Sequence, residues 1–494
     1  MTGFGWNLLA HSQWEWTTFI QMADLGGAYL VSAAIALGNA ALALTVPNAV
    51  LARFGLLLGE VKEEENADVR VSLRFHPVIA GLGTAAVLAA ALLYGTLRRA
   101  GDAFPAGPRV ALIQTDDPSS LRGGQSRQDD RIMGIYALTE AAVPYQSDLI
   151  LWPESAFAYP IAEAVGELTD AQIELAADPI PATYFRDRSG ELALSSYAER
   201  FGAYLLTGGT AMTVTEPDDG GPLPVRLDRY GSALMAAPSG GSHGDGLVRG
   251  AYLGRYDKRH RVVFGEYIPD LPGLASLTPF TEDEGQAYGI SAGDQPVAFL
   301  VSAVGTSPDG RQPPQYAVAP LICYEDTVPH LVRDTVNSLK FNGAGEETGP
   351  DVLAVLSNDG WFNDSAEQEQ HLAVSLFRAV ETRTPLVRAS NTGVSAVIDG
   401  DGVPRTPAAF LERLEDRSIQ AVDLKNLSAA ERAAVTLPDD RVAVLIADVP
   451  LDPRGSLYLL TGDLFALLCT LAAAVGFLLN CRRSPRPGGI AATA

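Results

Sequence analysis

Val318-Ala319-Pro320-Leu321-Ile322-Cys323-Tyr324-Glu325-Asp326 is an apolar run that ends on a thiol and two carboxylates. A short, bounded apolar run predicts a buried strand over 318–323 (VAPLIC). The same signature recurs at 109–114 (RVALIQ), 148–152 (DLILW), 204–207 (YLLT) and 352–357 (VLAVLS). Between these runs, helical stretches are predicted at 129–143 and 366–382, the latter with Leu372, Leu376, Phe377 and Val380 as its apolar positions. That alternation is the pattern of an α/β layered fold. Gly/Pro/Asp-rich pieces at 216–224, 238–246, 305–314 and 342–350 read as surface loops.

In layered α/β folds the working residues gather at the carboxyl ends of strands, where loops vary without disturbing the sheet. Three places qualify. Cys323 ends one strand and is the only cysteine in the middle of the chain, since Cys469 and Cys481 lie in or just after an apolar run near the C-terminus. Taken alone, a strand cysteine more often packs than reacts. Glu154 follows Leu151-Trp152-Pro153, a setting that desolvates a carboxylate, raises its pKa and suits it to general-base work; the plainer reading is a helix cap or a loop charge. Lys258 follows Gly254-Arg255-Tyr256-Asp257, in a chain that has only four lysines among its 36 basic residues. Where arginine serves as the general surface cation, a lysine is mildly informative, because its compact ammonium can face a developing oxyanion. Together, a carboxylate, an amine and a thiol form an acyl-transfer set: base, oxyanion stabiliser and nucleophile.

The chain has 494 residues, more than one ordinary core organises, and its apolar residues are concentrated near the two ends. Residues 22–46, 75–97 and 456–480 are long and apolar enough to read as membrane spans, the last carrying Asp463 inside its start. The expected organisation is a membrane region at 1–100 with two spans, a catalytic domain at 101–455, a C-terminal span at 456–481 and a basic tail at 482–494. Arg53, Lys62, Arg70 and Arg74 in the loop between the first two spans, with Arg482, Arg483 and Arg486 in the tail, place both on the cytoplasmic side and the large domain outside it. Arg98 and Arg99 argue the other way. The middle domain holds 27 basic against 51 acidic side chains, with no basic stripe, which disfavours nucleic acid as a partner. No stretch has the basic start and small-residue cleavage site of a signal peptide, and none of the six histidines has a metal-ligand spacing.

The order Trp152-Pro153-Glu154-Ser155, then Asp257-Lys258 with Val262 and Phe264-Gly265-Glu266-Tyr267, then Ile322-Cys323-Tyr324-Glu325-Asp326 resembles the nitrilase superfamily. Further on, Asn358-Asp359-Gly360-Trp361-Phe362, the run from Arg378 to Arg383, and Arg388-Ala389-Ser390-Asn391-Thr392-Gly393 resemble its apolipoprotein N-acyltransferase branch. Gln21-Met22-Ala23-Asp24-Leu25-Gly26-Gly27 and Leu460-Thr461-Gly462-Asp463 resemble the starts of a late and the last membrane span in that branch. The resemblance implies a nitrilase-like α-β-β-α sandwich inserted between transmembrane helices. It implies Glu154 as general base, Lys258 as oxyanion stabiliser and Cys323 as nucleophile, with Glu266 and Glu325 as supporting carboxylates and Tyr324 beside the thiol. The implied reaction moves a fatty acyl group from a membrane phospholipid through a thioester to the N-terminal amine of a diacylglyceryl-cysteine lipoprotein, with no metal or organic cofactor. It also implies several more spans ahead of the Gln21 segment than this chain carries, so that a partner supplying transmembrane helices, an earlier start or an altered lipid cavity is expected.

Three other readings compete. A membrane-tethered nitrilase-type amidase would use the same triad with water as acceptor. A non-catalytic scaffold would have no need of all five ionisable groups. A papain-like Cys323/His371 pair is weakened by the place of His371 inside a predicted helix.

Overall fold

The computed structural model describes residues 5–46, 50, 53–54, 77–101, 104–116, 125–216, 225–239, 250–269, 289–304, 313–340, 349–362, 365–424 and 442–483. Most of the basic loop at 51–74, the tail from 484 onward and most of the expected surface loops at 216–224, 238–246, 305–314 and 342–350 lie outside the described residues. The chain forms two compact units: Met1–Trp6 with Asp102–Gly455, and Asn7–Gly101 with Ser456–Ala494.

The larger unit contains strands β1 (Ala106–Gln114), β2 (Leu149–Trp152), β3 (Ile161–Ala164), β4 (Tyr204–Thr215), β5 (Arg226–Ala237), β6 (Ala251–Asp257) and β7 (Phe299–Ser302). It continues with β8 (Gln315–Ile322), β9 (Val352–Ser357), β10 (Leu386–Ser390), β11 (Ala396–Ile398), β12 (Ala409–Arg413), β13 (Ile419–Ala421) and β14 (Ala443–Pro450). Among the described residues they form two sheets, ordered β13-β12-β14-β1-β2-β4-β5-β6 with β3 beside β4, and β11-β10-β9-β8-β7. Both sheets are mixed: β1/β2, β2/β4, β8/β9 and β9/β10 run parallel, while β1/β14, β4/β5 and β7/β8 run antiparallel.

The sandwich follows from the two-residue alternation of β1. Val110 and Leu112 enter a core shared with Leu149 and Leu151 of the same sheet and with Val318, Ile322, Val352 and Val387 of the other. Ala111 and Ile113 point the opposite way, onto Ile135 and Leu138 of the helix Gln125–Ala142 and Leu194 and Ala198 of the helix Ser189–Phe201. Every inward pair thus joins the sheets and every outward pair seats a helix. This is the layered α/β sandwich expected from the sequence. The strand expected at 318–323 ends one residue early: Cys323 opens a 3-10 helix, Cys323–Thr327.

In the smaller unit, the helices Ala23–Ala43 and Pro77–Arg99 are long and apolar enough to cross a bilayer. The first departs from helical geometry at Gly26 and Gly27. Gly27 has φ +70, and a Cβ there would fall 2.8 Å from the ring of Tyr458, so the position excludes a side chain. Asp24, 1% exposed, accepts from the hydroxyl of Tyr94 at 2.7 Å and pairs with Arg98 at 2.8 Å. The stretch expected as a single span at 456–481 is divided. A helix at Leu457–Thr461 stops at Gly462 (φ +53), and a second runs over Leu464–Arg483, of which the apolar part is Leu464–Leu479. Asp463 sits at the break, where it accepts from the hydroxyl of Tyr458 at 2.9 Å.

Candidate active site

Each of the three residues singled out follows a strand, expected from the sequence for Glu154 and Cys323 and found only in the structure for Lys258. Glu154 stands two residues after β2, Lys258 directly after β6 and Cys323 directly after β8, so one sheet supplies the carboxylate and amine and the other the thiol. Cys323 has φ +50 and Ser155 has φ +57. For residues with a Cβ this left-handed geometry costs of the order of 1 kcal/mol or more, and tight turns at functional sites are where it persists.

Lys258 is 1% exposed, with Nζ 2.6 Å from Oε1 of Glu266 and 3.6 Å from Oε1 of Glu154. Burial opposes its charge, but Glu154, Cys323 and Glu266 together outweigh burial and raise its pKa, so the ammonium stays protonated. Glu266 is held in turn, its Oε2 accepting from the amide of Val262 at 2.8 Å. Glu154 is pushed above the usual carboxylate range, first by burial and also by Glu266, against the pull of Lys258 and of a hydrogen bond from the Cys323 thiol. The thiol is itself raised by burial and by Glu154, with Lys258 opposing. A thiol that keeps its proton, a basic carboxylate that accepts it and a fixed cation between two carboxylates can together deliver a nucleophile on demand.

Glu325 ties the two sheets at the site. Its Oε1 accepts from the amides of Arg259 at 2.7 Å and His260 at 2.9 Å, and its Oε2 from the amide of Ile322 at 2.9 Å. The hydroxyl of Tyr256 completes the set. One buried carboxylate therefore fixes the backbone after Lys258 and the residue before Cys323. Tyr324, half-buried, stacks on His260 with ring centroids 5.8 Å apart and lies 6.3 Å from the ring of Trp6.

The papain-like pair is not formed. His371 lies in the helix Glu367–Thr382, with Nε2 2.8 Å from Asp326 and Nδ1 2.9 Å from Asp359, so both ring nitrogens face carboxylates. Sequence reasoning assigned no role to Tyr256, Asp326, Asp359 or Arg388. Asp326, Asp359 and Arg388 stood in motifs of the resemblance and Tyr256 in the run before Lys258, signals that named no partner for any of them. Among the described residues no cluster of His, Cys, Asp and Glu has the form of a metal site.

A family model described as carbon-nitrogen hydrolase matches residues 109–432, and one described as the apolipoprotein N-acyltransferase N-terminal domain matches residues 1–41. The chain is 28% identical over 487 residues to the apolipoprotein N-acyltransferase of Geobacter metallireducens, a match covering 98% of this chain and 71% of that relative. It is 25% identical over 415 residues to the apolipoprotein N-acyltransferase of Rhodopirellula baltica, covering 81% of this chain and 65% of that one. Among solved structures, an amidase from Nesterenkonia sp. aligns with 17% identity and a TM-score of 0.36, covering 71% of this chain and 94% of that chain.

Proposed function

We propose, from the premise that this chain belongs to the carbon-nitrogen hydrolase family, that it is an apolipoprotein N-acyltransferase. The observation that carries this reading is the pairing, on one chain, of that family's domain with an N-terminal region matching the apolipoprotein N-acyltransferase N-terminal domain. The apolar helices Ala23–Ala43 and Pro77–Arg99 suit an enzyme whose acyl donor is a membrane phospholipid. In this reading they cross the membrane with the catalytic domain on the extracytoplasmic side.

The reaction runs in two halves. Glu154 takes the proton of Cys323, and Sγ attacks the ester carbonyl of the phospholipid; the ammonium of Lys258 faces the oxyanion that forms. The C–O bond breaks, the departing lysophospholipid oxygen takes the proton from Glu154, and the acyl group is left as a thioester on Cys323. In the second half the amine of diacylglyceryl-cysteine attacks the thioester. Glu154 accepts the proton the amine loses and returns it to Sγ as the C–S bond breaks, leaving an amide. Glu266 keeps Lys258 in place, and Glu325 keeps the two sheets in register. No metal or organic cofactor enters either half.

The test is intact-protein mass spectrometry after incubation with phosphatidylethanolamine vesicles. A fatty-acyl mass increase on the wild type, absent from Cys323→Ala and discharged by a diacylglyceryl-cysteine peptide, supports the reading. Discharge to water alone, with no transfer to the peptide, would replace it with a hydrolase.

A further inference from the structure

Behind the nucleophile lies a second cluster of charge that the reaction does not use. Asp326 is three residues from Cys323 in the same 3-10 helix, Asp359 follows β9, His371 lies in the helix Glu367–Thr382 and Arg388 is on β10. All four side chains are at most 1% exposed. His371 bridges the two carboxylates, and Arg388 repeats the bridge, reaching Asp326 at 3.4 Å and bonding to Asp359. The hydroxyls of Ser357 and Ser375 donate to Asp359 and Asp326. With His371 protonated, the quartet carries two positive and two negative charges and is neutral. With any one member neutralised, an uncompensated charge sits in the protein interior beside the thiol.

We propose that His371, together with Arg388, is a fixed counter-charge that neutralises the Asp326 and Asp359 carboxylates and thereby sets how readily Cys323 ionises. His371 touches neither the thiol nor a substrate position; it is a positioning residue acting through charge. The groups that face it are Asp326, Asp359 and Arg388 from three other elements, Glu367 from its own helix at 4.0 Å, and the indole of Trp6, T-shaped to it with ring centroids 4.9 Å apart. Burial and Arg388, whose Nη2 lies 2.7 Å from Nδ1, oppose the histidine's charge. The two carboxylates outweigh them and push its pKa up to about 9. Glu367 is itself pushed up to about 7, by burial and then by Asp359. The quartet is within electrostatic reach of the nucleophile: burial and Glu154 raise the Cys323 thiol most and Asp359 adds to them against Lys258, while Arg388, opposed by burial, is raised by Asp359, Asp326 and Cys323.

The inference rests on Cys323 being the reacting thiol, and its readout needs no acyl donor, so it can fail or stand apart from the acyltransferase reading. The full chain is alkylated with iodoacetamide at about pH 8, below the range where His371 gives up its proton, and the Cys323 peptide is quantified by mass spectrometry. His371→Gln removes one positive charge and leaves the quartet at minus one. The expected result is alkylation slowed about tenfold, with the pH profile of the rate moved up by about one unit. Arg388→Gln removes the other cation and must shift the profile in the same direction. His371→Gln combined with Asp359→Asn is neutral again, and its rate is expected to return towards wild type. Ser375→Ala, which deletes a bond without a charge, leaves the profile in place. A brace with no electrostatic role would give the reverse pattern: reduced thermal stability in every variant, an unmoved profile, and a double variant worse than either single one. That pattern overturns the proposal.

Discussion

The phenol of Tyr256 straddles Glu325, 2.9 Å from one carboxylate oxygen and 2.8 Å from the other. Tyr256 is fully buried at the end of the strand that leads to Lys258, so this contact joins the lysine strand to the turn that carries Cys323. Tyr256→Phe leaves three backbone amides on Glu325 and is expected to cost about 1.5–3 kcal/mol of stability while retaining part of the activity. Glu325→Gln should cost more, because an amide turns a donor towards groups that already donate. Thermal unfolding and Cys323 alkylation measured side by side check the order; equal losses from the two variants would refute the linking role.

Lys258 is enclosed by two carboxylates, and its size matters as much as its charge. Lys258→Arg places a planar guanidinium where 2.6 Å and 3.6 Å separate Nζ from Glu266 and Glu154. Acyl-enzyme formation is expected to fall by about 10²–10³, the range for losing one oxyanion donor, although charge is conserved. Single-turnover loading followed by mass spectrometry measures it, and a rate within threefold of wild type would remove Lys258 from the reaction.

Gly208 positions Glu154 by having no side chain. A Cβ there would fall 2.5 Å from the Cα of Glu154 and 2.7 Å from the amide of Ser155, both backbone atoms that no rotamer change can move. The same turn is stitched to β4 by the amide of Gly208 on the carbonyl of Pro153 at 3.2 Å and the amide of Phe157 on the carbonyl of Gly208 at 2.9 Å. Gly208→Ala should lower acyl transfer at least tenfold through a displaced base. Gly209→Ala meets the end of the Leu234 side chain instead and should be milder. Comparing the two rates is the check.

What could be read in the sequence was what a short window holds. β2, β8 and β9 announced themselves as apolar runs, and Glu154 and Cys323 were found because each stands at or near such a run's end, whereas Lys258 stood out as one of only four lysines. The donors around Glu325 could not be read, because all but the amide of Ile322 come from Tyr256, Arg259 and His260, more than sixty positions away. His371 looked idle for the same reason: Asp326 and Arg388 reach it from 45 and 17 residues away, across elements whose packing no local pattern specifies. The break at Gly462 was hidden by uniform hydropathy, which reports burial and says little about φ. Gly26-Gly27 was visible as a motif, but the reason for it, the ring of Tyr458, was not.

In the smaller unit, the partners of Asp24 decide what its burial costs. Arg98→Ala would leave a carboxylate that is 1% exposed with the hydroxyl of Tyr94 and without its cation. Arg98 is itself 24% exposed, so its loss costs less than the about 3–5 kcal/mol of a fully buried pair, and the variant should still unfold earlier in detergent. Arg98→Ala with Asp24→Asn should recover part of the loss, and a double variant no more stable than the single one would show that the pair contributes little.

The pH dependence of stability should carry the mark of His371. Its proton is held more tightly in the folded chain, up to about 9 against the ordinary 6.5. A group shifted in that direction contributes its full stability below about pH 6.5, and loses it as pH climbs through about 9. The carboxyl of Asp359 is shifted the other way: Arg388 and His371 outweigh its burial and hold it well below the usual range, so its contribution is present above the ordinary carboxylate pKa and is lost only in strong acid. Glu367, pushed up to about 7, makes its own decline below about pH 7, so the mark of His371 is read above that, as the larger part of a loss of about 3 kcal/mol that is complete near pH 9. His371→Gln has no imidazole proton to lose in that window, so its melting temperature, lower throughout, should decline less steeply there than that of the wild type, with only Glu367 still titrating. A variant that declines as steeply as the wild type would place the proton elsewhere and leave His371 neutral in the folded chain.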